Sequence, residues 1–194
     1  MNRLLEKVEA SPPLAGVSYT PPSPWPAWVW TELRTDHAGE TGAIWIYKGV
    51  LATSRDPQAR AFAHAHLQTE TRHLNEVSAI LPPTKRSRLL WLWRALGWIT
   101  GVVPGLTGRT AVFATIEAVE TFVDQHYQAQ IDRLRAESGD AVLMASLERW
   151  RHDEVAHRDD AASRLKAPPN WALKIWTRLV GFGSALAVRA ARIV

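Results

Sequence analysis

The sequence predicts an all-α bundle, and three observations point to it. Long stretches rich in Ala, Leu, Glu, Gln and Arg, all good helix formers, lie between well-marked breaks. The breaks are Pro and Gly clusters: Pro21, Pro22, Pro24 and Pro26; then Pro82 and Pro83; then Pro104 and Gly105; then Pro168 and Pro169. No convincing run alternates apolar and polar residues as a strand would. With 194 residues, 46% hydrophobic and 22% charged, the chain can bury one ample core and does not have a disordered composition.

Residues 1–27 read as a Pro-rich, mostly extended lead-in that lacks an apolar run of signal-peptide length. A single domain over 28–194 is expected to follow. Its six helical segments fall near 28–54, 57–80, 86–103, 107–137, 139–165 and 171–193. The first carries "RTDHAGETGA", with Glu40 midway along it. The second opens on Asp56-Pro57, a cap followed by a first-turn proline, and contains "TETRH". The third lies in residues 85–109, which hold five basic residues and no acidic one, and Pro104 is expected to close it. The fourth holds Glu120 in "IEAVETFVDQ", and the fifth holds "DEVAH". The sixth, in residues 171–194, has four basic residues and no acidic one.

The third and sixth segments contain Trp91, Trp93, Trp98, Trp171 and Trp176, half of the chain's ten tryptophans. The net charge is +4 and the pI about 9.8, which favours an anionic partner. The basic residues of these two segments sit among Trp and Leu rather than on a polar face. A membrane surface therefore fits better than nucleic acid, with both helices lying at the interface instead of spanning the bilayer.

The chain has no cysteine, so thiolate-held clusters and Cys-type zinc sites are excluded, and any metal site must use carboxylates and histidines. On a helix, positions i and i+3 share a face. Glu70 and His73 therefore point the same way, as do Glu154 and His157. Either pair alone reads more readily as an exposed contact than as half of a metal site. Glu40 and Glu120 change the odds, because both sit among small and apolar residues where an unpaired carboxylate is costly. The order is Glu, then Glu-x-x-His, given twice. This is the ligand pattern of carboxylate-bridged di-iron bundles. Of the other histidines, His66 lies near the face of Glu70, His152 is expected to face solvent, and His37 and His126 flank the ligands on their own helices. Asp153 is a candidate to hold the outer nitrogen of His73, or else an exposed surface residue. Arg72 pairs with nearby carboxylates or with solvent.

"RTDHAGETGAIWIYKG", "TETRHL", "EAVETFVDQHYQAQI" and "DEVAHRDDA" resemble the demethoxyubiquinone hydroxylase family, the Coq7 proteins, in order from about residue 30 onward. The resemblance implies a ferritin-like four-helix bundle with two additional amphipathic membrane-interface helices. It implies two iron ions on Glu40, Glu70, His73, Glu120, Glu154 and His157, and it places His126 and Tyr127 at the catalytic site. The implied reaction is a monooxygenation in ubiquinone synthesis: molecular oxygen hydroxylates a polyprenyl demethoxyquinone, with NADH as reductant. No glycine fingerprint of a Rossmann site is present, since "GFGSAL" lacks the third glycine. A lipid-binding helper protein and a peripheral place on the cytoplasmic side of a bacterial inner membrane complete the expectation. Thr41, Thr121 and Trp45 stand where relatives commonly carry other residues, which bears on the pocket's shape. Two alternatives remain: a di-iron hydroxylase acting on tRNA, and a non-catalytic membrane-surface bundle that binds lipid or quinone.

Overall fold

The computed structural model describes residues 24–137, 140–166 and 168–194, so most of the expected lead-in lies outside the described residues. Six α-helices account for nearly all of the rest: α1 (Ala27–Thr53), α2 (Pro57–Ile80), α3 (Leu90–Thr107), α4 (Arg109–Glu137), α5 (Ala141–Ser163) and α6 (Trp171–Ile193). No strand occurs among the described residues. The fold is the expected all-α, ferritin-like arrangement, with α1, α2, α4 and α5 forming the bundle. The helix α3 lies along α1, and α6 lies across α4 and α1.

Side-chain caps fix where three helices begin. Asp56 accepts hydrogen bonds from the Gln58 and Ala59 amides, with Pro57 at the first helical position, as the sequence predicts. Asp140 accepts from Leu143 N and also from Trp25 Nε1 at 2.7 Å, so the cap of α5 anchors the residues before α1. Asn170 caps α6 through Leu173 N.

The third helix departs from expectation. It starts at Leu90, not near 86, because a short 3-10 turn over Pro83–Lys85 comes first and Ser87 Oγ accepts from Leu89 N. Pro104 does not close it; the helix runs on to Thr107 and stops at Gly108, whose φ of 130° leaves the helical region. A proline in the last turn removes one amide without ending the run, while its own carbonyl still accepts from Gly108 N.

Glycines allow α3 to approach α1 backbone to backbone. A Cβ at Gly97 would run into the Gly42 carbonyl, and one at Gly101 into the Ile46 carbonyl. The bundle's apolar core forms two clusters, one around Trp150, Leu33 and Tyr127, the other around Phe62, Phe113 and Tyr47. The polar residues described next lie between them.

No described helix is long and apolar enough to cross a membrane. Both α3 and α6 nonetheless present large apolar side chains to the outside. On α6 these are Trp171, Ile175, Leu179, Phe182 and Leu186, spaced by three or four residues and so aligned on one stripe.

Candidate metal centre

Glu40 on α1, Glu70 and His73 on α2, Glu120 on α4, and Glu154 and His157 on α5 are all buried. They converge between the four bundle helices. Donor atoms of Glu40, Glu70, His73 and Glu154 lie within 4.8 Å of one another, and so do those of Glu70, Glu120, Glu154 and His157. Glu70 and Glu154 belong to both groups. The geometry is that of two adjacent cation sites sharing two carboxylates, with Glu40 and His73 completing one and Glu120 and His157 the other. All six residues expected from sequence thus meet at one place.

Protons and hydrogen bonds balance the charge here. Glu154 accepts from His73 Nδ1 at 2.9 Å and from His157 Nδ1 at 3.1 Å. Burial pushes its carboxyl up, but these two imidazoles outweigh burial and bring it down to about 2. For His73, burial opposes the charged ring, yet the bonds to Asp153 and Glu154 prevail and push it up to about 11. His157 follows the same logic through Glu154 and Glu70, up to about 10. Glu40 and Glu120 go the other way: burial, reinforced by neighbouring carboxylates, holds both well above the usual carboxylate range.

The donor set fits metal on a further observation. Glu40 Oε2 is buried without a hydrogen-bond partner, and its nearest cation, His73 Nδ1, is 3.8 Å away. Glu70 Oε1 lies 3.0 Å from His157 Nδ1 but lacks a hydrogen-bond alignment. Buried carboxylate oxygens left this way are costly, and a bound cation would satisfy both.

Surrounding groups hold the donors in place. Asp153 Oδ2 lies 3.0 Å from the outer nitrogen of His73 and accepts from Arg72 at 2.6 Å. Glu76, also buried, accepts from Trp150 Nε1 at 2.7 Å. Tyr127 Oη donates to Glu40 at 2.7 Å, and Tyr47 Oη to Glu120 at 3.3 Å. Each tyrosine stands seven residues after a glutamate on its own helix and binds the glutamate of the other. That repeated spacing was available in the sequence but went unread: Tyr127 was expected only from the family resemblance, and Tyr47 not at all. His66 packs edge-on against His157, their ring centres 4.1 Å apart, and its Nε2 lies 3.0 Å from Asp160. His64 and His152 face outward.

A cavity of about 330 Å³ opens beside the carboxylates. Its walls are largely apolar: Trp93, Leu96 and Gly97 from α3, and Leu179, Val180 and Gly183 from α6. Glu40, Glu70, Glu120 and Glu154 reach it from one side, and Thr35, Asp36, His126 and Tyr127 line another. His126 is therefore at the cavity wall, joined to Thr35, Asp36 and Gln130 and not to the carboxylate cluster. Asp36 went unnoticed in the sequence, where nothing marks an isolated aspartate as buried. Thr41, Trp45 and Thr121 are not among the lining residues. Thr41 and Thr121 bond back to their own helices, and Trp45 packs edge-on against Trp98.

The model of the family described as ubiquinone biosynthesis protein COQ7 matches residues 27–191. A protein of Rhodospirillum rubrum named 3-demethoxyubiquinol 3-hydroxylase is 35% identical over 131 residues, which cover 66% of this chain and 60% of that protein. The mitochondrial NADPH-dependent 3-demethoxyubiquinone 3-hydroxylase of Caenorhabditis elegans is 29% identical over 162 residues, 80% of this chain and 86% of that one. The Homo sapiens protein of the same name is 31% identical over 132 residues, 66% of this chain and 60% of that one. The chain thus spans about three fifths of the bacterial and human relatives and most of the nematode one. Matched over nearly its whole helical part, this chain belongs to the COQ7 family of ubiquinone biosynthesis proteins.

Proposed function

We propose that this chain is a di-iron monooxygenase that hydroxylates the ring of demethoxyubiquinol, the reduced quinone, during ubiquinone synthesis. The observation that carries the proposal is the meeting of two buried carboxylate–histidine groups with an apolar cavity whose walls come from the two outward-facing helices. The names of the relatives supply the substrate class. The net reaction consumes one O2, one reduced nicotinamide nucleotide and one proton, places one oxygen on the ring and releases water. NADH is the reductant that the family resemblance implies, and the mitochondrial relatives are named for NADPH.

Glu40, Glu70, His73, Glu120, Glu154 and His157 would hold the two iron ions, with Glu70 and Glu154 shared. Carboxylate oxygen and imidazole nitrogen suit iron in both its ferrous and ferric states. When bound, the two ions supply the redox chemistry that activates oxygen. The protein's own part is positioning. Tyr127 and Tyr47 hold Glu40 and Glu120 at fixed angles. Asp153 fixes the ring of His73. The largely apolar walls from α3 and α6 would keep water out and turn the substrate ring toward the carboxylates. An isoprenoid tail would leave between those helices into lipid. Their exposed Trp, Leu, Ile and Phe side chains would dock the chain peripherally on the cytoplasmic face of a bacterial inner membrane.

The test is a quinone profile, by mass spectrometry, of cells lacking this gene and complemented with wild type or Glu154→Ala. Accumulated demethoxyubiquinone that only wild type clears is the expected result. An unchanged profile in the deletion, or full restoration by the variant, would overturn the proposal.

A further inference from the structure

Beside the carboxylate cluster a second polar array runs from the surface to the cavity. Arg192 near the end of α6 makes two hydrogen bonds to Glu32 on α1, at 2.9 and 3.0 Å. Glu32 Oε2 lies 3.9 Å from His126 Nε2 on α4. The Thr35 hydroxyl stands between them, 3.4 Å from Glu32 Oε2 and 2.9 Å from His126 Nε2, and it also reaches the Glu32 backbone carbonyl at 2.7 Å. His126 Nε2 is 3.3 Å from Asp36 Oδ1, which also accepts from Gln130 Nε2 at 2.6 Å. Side-chain exposure falls along this path from 42% at Arg192 to 12% at Glu32, 10% at His126 and 0% at Asp36. At its inner end Asp36 Oδ2 is buried without a partner, on a residue that lines the cavity.

A buried carboxylate wired to the surface on one oxygen and left open on the other is placed to exchange a proton with a ligand. We propose that Asp36 is a general base for the ring hydroxyl of the quinol in the cavity, and that His126, Thr35 and Glu32 carry the proton to solvent. The proposal rests on the cavity holding a quinol. In this step the ring O–H bond breaks, its electron pair stays on the ring oxygen, and the proton goes to Asp36. It passes to His126, then through the Thr35 hydroxyl to Glu32 and out past Arg192; nothing is oxidised or reduced. The phenolate so formed makes the ring carbon beside it far more nucleophile-like, as hydroxylation at that carbon requires. Burial also lifts Asp36 above the usual carboxylate range, against the pull of His126 and Gln130, which strengthens it as a base. Glu32, His126 and Tyr127 are the titratable groups around it on the packed elements, and Arg192 the cation at the outer end.

The experiment uses the full chain loaded with iron in detergent, with a short-tailed demethoxyubiquinol as probe. Quinol binding, iron content and kcat/KM against pH are measured for wild type, Asp36→Asn, Glu32→Gln and His126→Gly. Asp36→Asn should keep wild-type iron content and a quinol Kd within about threefold, yet lose kcat/KM by about 100-fold or more. Glu32→Gln should fall by a smaller factor. His126→Gly should be rescued by added imidazoles in the order of their basicity, a response that a merely structural residue would not give. Asp36→Asn turning over within threefold of wild type, or imidazole rescue that ignores basicity, would overturn the proposal while leaving the cavity's role intact. Failure of wild type to bind the quinol at all would overturn both.

Discussion

At the scale of single residues, sharing is what separates the six donors. Glu154 belongs to both groups and bonds to both histidines, whereas Glu120 belongs to one. Glu154→Ala should therefore empty both sites, lowering iron per chain at least about tenfold while far-ultraviolet circular dichroism stays helical. Near-normal iron content in that variant would mean that the shared position is wrong. Asp153→Asn should weaken iron binding by about 10- to 100-fold by freeing the ring of His73, as a competitive chelator titration would read. Protons and metal compete for the same atoms. His73 and His157 are pushed up to about 11 and about 10, so near neutral pH both rings carry protons that a metal must displace, and Glu40 and Glu120, held above the usual carboxylate range by burial, bind protons more tightly than free carboxylates. Displaced protons mean that affinity rises with pH, by about tenfold per unit for each proton released. A flat plot of log affinity against pH between 6 and 7.5 would contradict competition between protons and metal at the cluster.

At the scale of the helix, α1 and α3 meet backbone to backbone, and both line the cavity. Gly101→Leu would force α3 off the Ile46 carbonyl, costing about 1–3 kcal/mol. That is a fall in Tm of several degrees at about 2–4 °C per kcal/mol for a chain of this size, and an unchanged Tm would show the crossing to be loose. The stripe on α6 has little to pack against within the chain. Replacing both Phe182 and Leu186 with Asp should cut binding to anionic vesicles at least about tenfold without lowering Tm, because both side chains are mostly exposed. Equal vesicle binding would contradict the proposed docking of this stripe on lipid. Helix positions were legible in the sequence where caps are local, as at Asp56-Pro57. They were not at α3, where a 3-10 turn and a proline tolerated in the last turn shifted both ends.

At the scale of the whole molecule, the six donors were legible because a period of 3.6 residues turns spacing into facing. Glu-x-x-His given twice, with one more Glu on each remaining bundle helix, needs little tertiary knowledge to converge. The cavity and the Asp36 path were not legible, since both depend on where α6 crosses the bundle. Arg192 and Glu32 are separated by 160 positions along the chain yet joined by two hydrogen bonds. As proposed, the carboxylate cluster and the cavity form one oxygenation site. The most direct measurement of this is a single turnover: the full chain, loaded with ferrous iron and a short-tailed demethoxyubiquinol, is exposed to ¹⁸O-labelled O2, and the ring product is weighed by mass spectrometry. One labelled oxygen on the ring, formed by wild type and absent with Glu154→Ala, is the predicted result. Unlabelled product, or none from wild type that has bound both iron and quinol, would contradict it.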